Sequence, residues 1–400
     1  MIAVFKPSKL SGTIAAPPSK SMAHRYLIGA ALSGEVCTLT GVDYSEDILA
    51  SMDCLTALGA RITTHGDAVT MDPTGFLQAD APILPCRESG STLRFFIPLA
   101  LCMGRPVTLL GSKRLLERPL SVYEDLCREK GFTMERGNGS ITVCGSLQSG
   151  CYEVRGDISS QFITGLMLAL IYRNEDAVIK VLPPFESRSY IDLTIAALRS
   201  FGAEVAFTDT YTIAIKKSVL HGYGGRIEGD YSNAAFLDAF NLIGSQVVVE
   251  NLSKTSLQGD RVYGEYYQKL INGTPTLDLS DCPDLGPILF AMAALKNGAV
   301  FTGTDRLKAK ESDRGAAMDA ELRKLGGGLI FGSNTITVPK QQLKDRGEML
   351  FGHNDHRIVM ALSVILTQTG GAISGAEAIK KSYPGFFTDL IKLGAKVELT

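Results

Sequence analysis

Residues 21–32 read SMAHRYLIGAAL: a serine followed by a long, mostly apolar run. The same arrangement returns as STLRFFIPLAL at 91–101, SQFITGLMLAL at 160–170, SNAAFLDAFNL at 232–242, DLGPILFAMAAL at 284–295 and DHRIVMALSVIL at 355–366. The runs start 70, 69, 72, 52 and 71 residues apart. Each is helix-length, opens at a residue suited to N-capping and usually ends near glycine. Most are apolar nearly all round, which places them in a core rather than at a surface.

A second pattern alternates with the first. LTALGA ending at Ala60, LRSFGA at Ala203, LRKLGG at Gly327 and IKLGA at Ala395 read as amphipathic helices stopped by a glycine, with weaker copies around Gly131 and Gly273. Short alternating runs at 69–71, 141–143, 211–215 and 335–338 read as strands. Each unit therefore reads as strand, buried helix, strand, surface helix, then strands. Three units per domain predict an α/β chain of two similar lobes. Glycines interrupt the pattern in HGYGGR at 221–226, and a second crossing is expected near Pro17 and Pro18. The expected domains are 18–225 and 226–400, the latter completed by residues 1–17.

Four hundred residues exceed one ordinary core. A net charge of -2 gives no global bias toward nucleic acid or membranes. The eight cysteines form no CxxC pair and no zinc-like cluster with histidine, so reduced thiols, a cytoplasmic location and no metal are expected. His24, His65, His221 and His353 lack metal-ligand spacing and read as structural. The N-terminus MIAVFKPSK lacks a signal-peptide core, and the apolar stretch 95–103 falls well short of the ~20 residues that span a bilayer.

The informative polar residues fall at helix starts, where free N–H groups and the helix dipole favour anions. They are Lys20 and Ser21; Gly90 and Ser91, with Arg94 one turn in; Ser159, Ser160 and Gln161; Asp284; and Asp355, His356 and Arg357. Loops before the surface helices add Arg118 in LLERPL, Ser187 and Tyr190 in FESRSY, Lys310, Glu311 and Arg314 in KAKESDR, and Lys381 in IKKSYP. One serine at a helix start is usually only a cap, and one loop lysine is usually a solvated charge. Recurrence at equivalent places in nearly every unit favours a site for phosphates and carboxylates. Tyr190 is the weakest of the set.

The motifs PPSKSMAHR, ERP, SSQF, KESDR, NDHR and KSYP, in this order along the whole chain, resemble the 3-phosphoshikimate 1-carboxyvinyltransferase (EPSP synthase) family. The resemblance implies two lobes of three βαβαββ units, an inside-out α/β barrel in each, with the active site between them. It implies transfer of enolpyruvate from phosphoenolpyruvate to the 5-hydroxyl of shikimate 3-phosphate by a monomer without cofactor. By the same resemblance Lys20 contacts phosphoenolpyruvate and assists at its leaving phosphate. Ser21 and Arg25 hold the shikimate ring and carboxylate. Gly90 and Arg118 line the phosphoenolpyruvate pocket, which glyphosate also occupies. Ser159, Ser160 and Ser187 hold the 3-phosphate, Gln161 touches both substrates, and Lys310 binds shikimate 3-phosphate. Asp284 is the proton acceptor and Glu311 the general acid. Arg314, Arg357 and Lys381 surround the carboxylate and phosphate of phosphoenolpyruvate.

The chain departs from the family pattern in places. It reads CRESGSTLR where the family often has LGNAGTAMR, so Glu88 replaces asparagine and Ser91 replaces threonine, and Arg306 stands near a family asparagine. Two rival readings are weaker. The sister enzyme acting on UDP-N-acetylglucosamine usually carries Lys-Asn at the Lys20-Ser21 position and a Cys-bearing loop absent here. An inactive anion-binding repeat protein would not need both Asp284 and Glu311.

Overall fold

The structure, a computed structural model, describes residues 1–400. The chain divides into two compact units, Pro18–Glu228 and Met1–Pro17 with Gly229–Thr400. The change of unit thus falls just beyond the glycines of 221–226.

In Pro18–Glu228 the repeat is visible strand by strand. Ile83–Pro85 pairs in parallel with Val107–Leu110, which pairs antiparallel with Ser140–Cys144, which pairs antiparallel with Thr133–Gly137. Cys151–Arg155, Ala177–Leu182, Thr212–Lys216 and Glu204–Phe207 repeat this order and these directions. The first sheet keeps three strands, Cys37–Leu39, Ala68–Asp72 and Arg61–His65, and its parallel neighbour shrinks to one bridge between Thr40 and Arg226. The helices Lys20–Leu32, Gly90–Leu101 and Ser160–Arg173 fill the core, together with apolar residues of all three sheets. Surface helices such as Ser121–Lys130 end as their glycines require: Gly131 adopts φ +70°, open to glycine without penalty.

The other unit explains the short 52-residue spacing. Its first repeat runs from the helix Tyr231–Leu242 through Gln246–Glu250 to the helix Tyr263–Asn272 and ends there, without the usual closing pair of strands. The N-terminal segment supplies missing partners. Ser11–Ala15 pairs in parallel with Gln246–Glu250. Ile2–Lys6 sits between Gly371–Ser374 and Lys396–Leu399, antiparallel to both. The full sheet order then matches that of Thr276–Asp278, Ala299–Thr302, Thr335–Val338 and Ile330–Gly332. Three central helices, Tyr231–Leu242, Gly286–Leu295 and His356–Thr369, carry the core; Phe290 lies edge-on to Phe301 with ring centroids 4.9 Å apart. No helix is long and apolar enough to cross a membrane.

One expected helix start shifts. Asp284 lies in a 3₁₀ turn, Pro283–Leu285, and the α-helix begins at Gly286. Pro283 and Pro287 lack the N–H that a regular helix would use, which the first turn tolerates.

The N-terminal strand is structural by this account. Phe5 is 2% exposed and packs on Phe387 at 6.3 Å. Phe5→Ala should lower stability by about 3–5 kcal/mol in urea unfolding, the usual cost of emptying a buried aromatic site. A loss under about 1 kcal/mol would mean the segment is a loosely attached edge.

Candidate active site

Three pieces of chain in the Gly229–Thr400 part meet at one guanidinium. Arg314, the first residue of the helix Arg314–Lys324, is 1% exposed. Its Nη1 donates to Asp284 Oδ1 at 2.7 Å, its Nη2 to Glu311 Oε2 at 2.8 Å, and its Nε to Asp355 Oδ2 at 2.9 Å. Asp355 also caps the helix His356–Thr369 by accepting from Arg357 N at 2.9 Å, and it accepts from Ser312 Oγ at 3.0 Å. Lys310 Nζ donates to Asp284 Oδ1 at 3.0 Å, and Arg357 Nη2 lies 3.5 Å from Asp284 Oδ2. Arg357 also donates to Asn233 Oδ1 at 3.3 Å. Lys381 Nζ donates to the Asn354 carbonyl at 2.7 Å.

Three cations and three carboxylates therefore balance in a mostly buried cluster. Burial alone would raise the Asp284 carboxyl, but Lys310, Arg314 and Arg357 outweigh it and hold the group well below the usual range. Burial lowers the Lys310 ammonium. For Arg314, burial is overcome by Asp355, Glu311 and Asp284, so it stays protonated. Nearby Asp260, 4% exposed and bonded by Ser232 Oγ, is pushed up to about 7 by burial and then by the Asp284 charge.

In Pro18–Glu228 the residues gather at three helix starts. Ser19 caps the helix Lys20–Leu32, and Lys20 Nζ pairs with Asp47 Oδ2 at 2.7 Å. Ser89 caps Gly90–Leu101, and Ser159 caps Ser160–Arg173. Arg94 Nη1 donates to Gln161 Oε1 at 2.7 Å, and Gln161 Nε2 donates to Ser91 Oγ at 2.8 Å, which ties the second start to the third. Arg118 is 8% exposed, and its Nη1 lies only 2.5 Å from where a Cβ on Gly90 would stand. Only glycine leaves that guanidinium its place. Ser160 and Ser187 are buried, and Ser187 holds a left-handed φ of +54° before the helix Arg188–Ser200.

Arg25 is buried and Tyr190 half-buried. Arg25 is 3% exposed; it donates to the Ser21 carbonyl at 2.6 Å, Thr194 Oγ1 at 2.8 Å and the Tyr190 carbonyl at 3.0 Å. Burial lowers its pKa to about 10. It joins the segments carrying Ser21 and Tyr190 to each other. Sequence reading did not single out Asp47, Asn233 or Asp260, which meet Lys20, Arg357 and Ser232 across 27, 124 and 28 residues. Nothing in a lone acid or amide signals such partners.

Asp260 makes a pH signature. Between about pH 4 and 7 it keeps its proton when folded but loses it when unfolded, so its contribution to stability falls as pH rises across that window. Asp260→Asn should therefore flatten the decline of urea-unfolding stability from pH 4 to 7. An unchanged slope would place the titration elsewhere.

The sequence matches the EPSP synthase (3-phosphoshikimate 1-carboxyvinyltransferase) family over residues 4–390. It is 38% identical to the 3-phosphoshikimate 1-carboxyvinyltransferase of Clostridium kluyveri over 417 residues, covering 98% of this chain and 97% of that protein. It is 35% identical to the enzyme of that name from Clostridium acetobutylicum, covering 98% and 97%. The fold resembles EPSP synthase from Acinetobacter baumannii, with TM-score 0.76, 22% identity and 100% of each chain covered. It also resembles an enolpyruvyl transferase from Streptomyces tendae, with TM-score 0.78, 13% identity and coverage of 100% and 98%. The chain belongs to the EPSP synthase (3-phosphoshikimate 1-carboxyvinyltransferase) family.

Proposed function

We infer that the chain transfers the enolpyruvyl group of phosphoenolpyruvate to the 5-hydroxyl of shikimate 3-phosphate, releasing inorganic phosphate, as a step of aromatic amino acid biosynthesis. The observation that carries the residue assignment is the sharing of Arg314 by two carboxylates, Asp284 and Glu311. Such a pair, among cations that can receive anionic substrates, suits a reaction needing one acid and one base.

The vinyl carbon C2 of phosphoenolpyruvate becomes electrophilic once C3 gains a proton. On this assignment Glu311 supplies that proton and Asp284 takes the proton of the attacking 5-hydroxyl. The tetrahedral adduct then loses phosphate, with Lys20 at the leaving oxygen, while a methyl proton returns to the enzyme. Arg314, Arg357 and Lys381 take the carboxylate and phosphate of phosphoenolpyruvate, and Gly90 and Arg118 serve the same substrate. Ser21, Arg25 and Lys310 serve shikimate, Ser159, Ser160 and Ser187 its phosphate, and Gln161 both substrates, with Tyr190 packing nearby. Charge development is met by cationic side chains, preorganised rather than recruited from water. On this reading the chain acts as a monomer in the cytoplasm.

Phosphate release should require both phosphoenolpyruvate and shikimate 3-phosphate and should not occur with UDP-N-acetylglucosamine. Asp284→Asn and Glu311→Gln should each lower kcat by about 10²–10⁴-fold. Near-parental turnover in both folded variants would sink the acid and base assignment. Release with the nucleotide sugar alone would move the chain to the sister reaction.

Glyphosate is expected to compete with phosphoenolpyruvate. A methyl at Gly90 must displace the Arg118 guanidinium, which lies 2.5 Å from its position. Because Arg118 lines the same pocket on this assignment, its displacement in Gly90→Ala should raise the glyphosate inhibition constant by about tenfold, the equivalent of ~1.4 kcal/mol. Unchanged inhibition in that variant would place the inhibitor elsewhere.

A further inference from the structure

The helix Arg314–Lys324 holds the turn before His356 at two points, and only one of them lies in the charged cluster described above. The first is Arg314 on Asp355. The second is Glu321, seven residues on, 1% exposed and so on the same face of the helix. Its carboxylate accepts from Phe351 N, from His353 Nε2 and from Lys324 Nζ, each at 2.8 Å. An ionised carboxylate only accepts, so His353 carries its proton on Nε2. The ring of Phe351 packs on His353 with centroids 4.9 Å apart.

The turn held in this way is conformationally unfavourable. His353 and Asn354 both take left-handed backbone, φ +50° and +51°, in succession. L residues other than glycine adopt this region at a cost, and such strain persists where surrounding contacts over-determine it. The turn has little room to relax: a Cβ on Gly352 would stand 2.6 Å from Val359 Cγ2 and 2.9 Å from the Gly375 carbonyl. What the left-handed pair presents is chemical. The Asn354 carbonyl holds Lys381 Nζ at 2.7 Å, and the next residue, Asp355, caps the helix bearing Arg357 and grips Arg314.

We propose that Glu321 is a positioning residue: through Phe351 and His353 it fixes the left-handed turn at 353–354 and thereby sets Lys381 and Arg357 for the anionic substrate. His353, read from the sequence as structural, is the arm through which it acts. The proposal rests on the reading that Lys381 and Arg357 receive phosphoenolpyruvate.

The test is steady-state kinetics of the full chain in both substrates, with circular dichroism and urea unfolding to verify the fold. Glu321→Ala should raise KM for phosphoenolpyruvate about ten- to a hundredfold, the scale of a small misplacement of binding groups, and KM for shikimate 3-phosphate by less than about twofold. Glu321→Gln, which keeps an acceptor for Phe351 N or His353, should recover most of the loss. Asn354→Gly in the Glu321→Ala background should recover part of it, because glycine takes left-handed backbone without strain. A merely structural loss would not respond to that change. If Glu321→Ala does not fold, His353→Ala carries the same test, since that ring is 27% exposed. An unchanged phosphoenolpyruvate KM in a folded variant would overturn the proposal, as would parallel rises in both KM values without recovery by Asn354→Gly. A parent chain that releases no phosphate would overturn the functional reading and this proposal together.

Discussion

Removing the Arg314 guanidinium from water is costly unless its planar fork of N–H donors is filled, and everything in the Gly229–Thr400 cluster follows from how that is met. Asp284, Glu311 and Asp355 fill it from separate pieces of chain. None of these carboxylates could move without stranding a buried charge. One side chain therefore fixes the relative positions of the turn 283–285, the segment 310–314 and the start of the helix His356–Thr369. The arrangement is reciprocal: without Arg314, three acids would crowd a poorly solvated space.

The repeat is what lets helix starts serve as chemical sites. In Pro18–Glu228, Lys20, Gly90 and Ser160 each begin a buried helix, and in the other unit Asp355 caps one. A buried helix has its free N–H groups at one end only, so equivalent helices deliver equivalent positive ends. Local side chains then distinguish them. Gln161 links the second start to the third through Arg94 and Ser91, while Gly90 contributes by having no side chain to obstruct Arg118.

How far the sequence discloses this depends on whether the signal is local. The core helices are legible because a run such as 284–295 is apolar on all faces, and helix Gly286–Leu295 has nine buried residues. The strands 141–143 and 335–338 are legible from alternation. The 52-residue spacing records that one repeat is short, but a five-residue strand such as Ile2–Lys6 carries no mark of the distant sheet it completes. At the site, motifs select Glu311, Arg314 and Arg357, because KESDR and NDHR keep their charges together, and Asp284 is marked by its place at the head of an apolar run. Asp260, Asp47 and Glu321 are single acids in ordinary-looking segments, and their importance comes from burial, which only the fold imposes. Arg25 is legible as part of PPSKSMAHR, but its bonds to Thr194 and to the Ser21 and Tyr190 carbonyls come only with the fold.

Four of the cations assigned to substrates are already paired with acids of the protein: Lys20 with Asp47, Lys310 and Arg357 with Asp284, and Arg314 with Asp284, Glu311 and Asp355. An incoming phosphate or carboxylate must compete with these acids, so binding is partly an exchange of anions. The exchange has a chemical consequence on the proposed assignment. Asp284 is held well below the usual carboxylate range by Lys310, Arg314 and Arg357, which makes it a weak base before substrate arrives. Substrate anions that draw on those cations would weaken their hold and raise its proton affinity. The cations that order Asp284 would thus link substrate binding to the readiness of the base, so that it is not fully active until the anions it serves are in place.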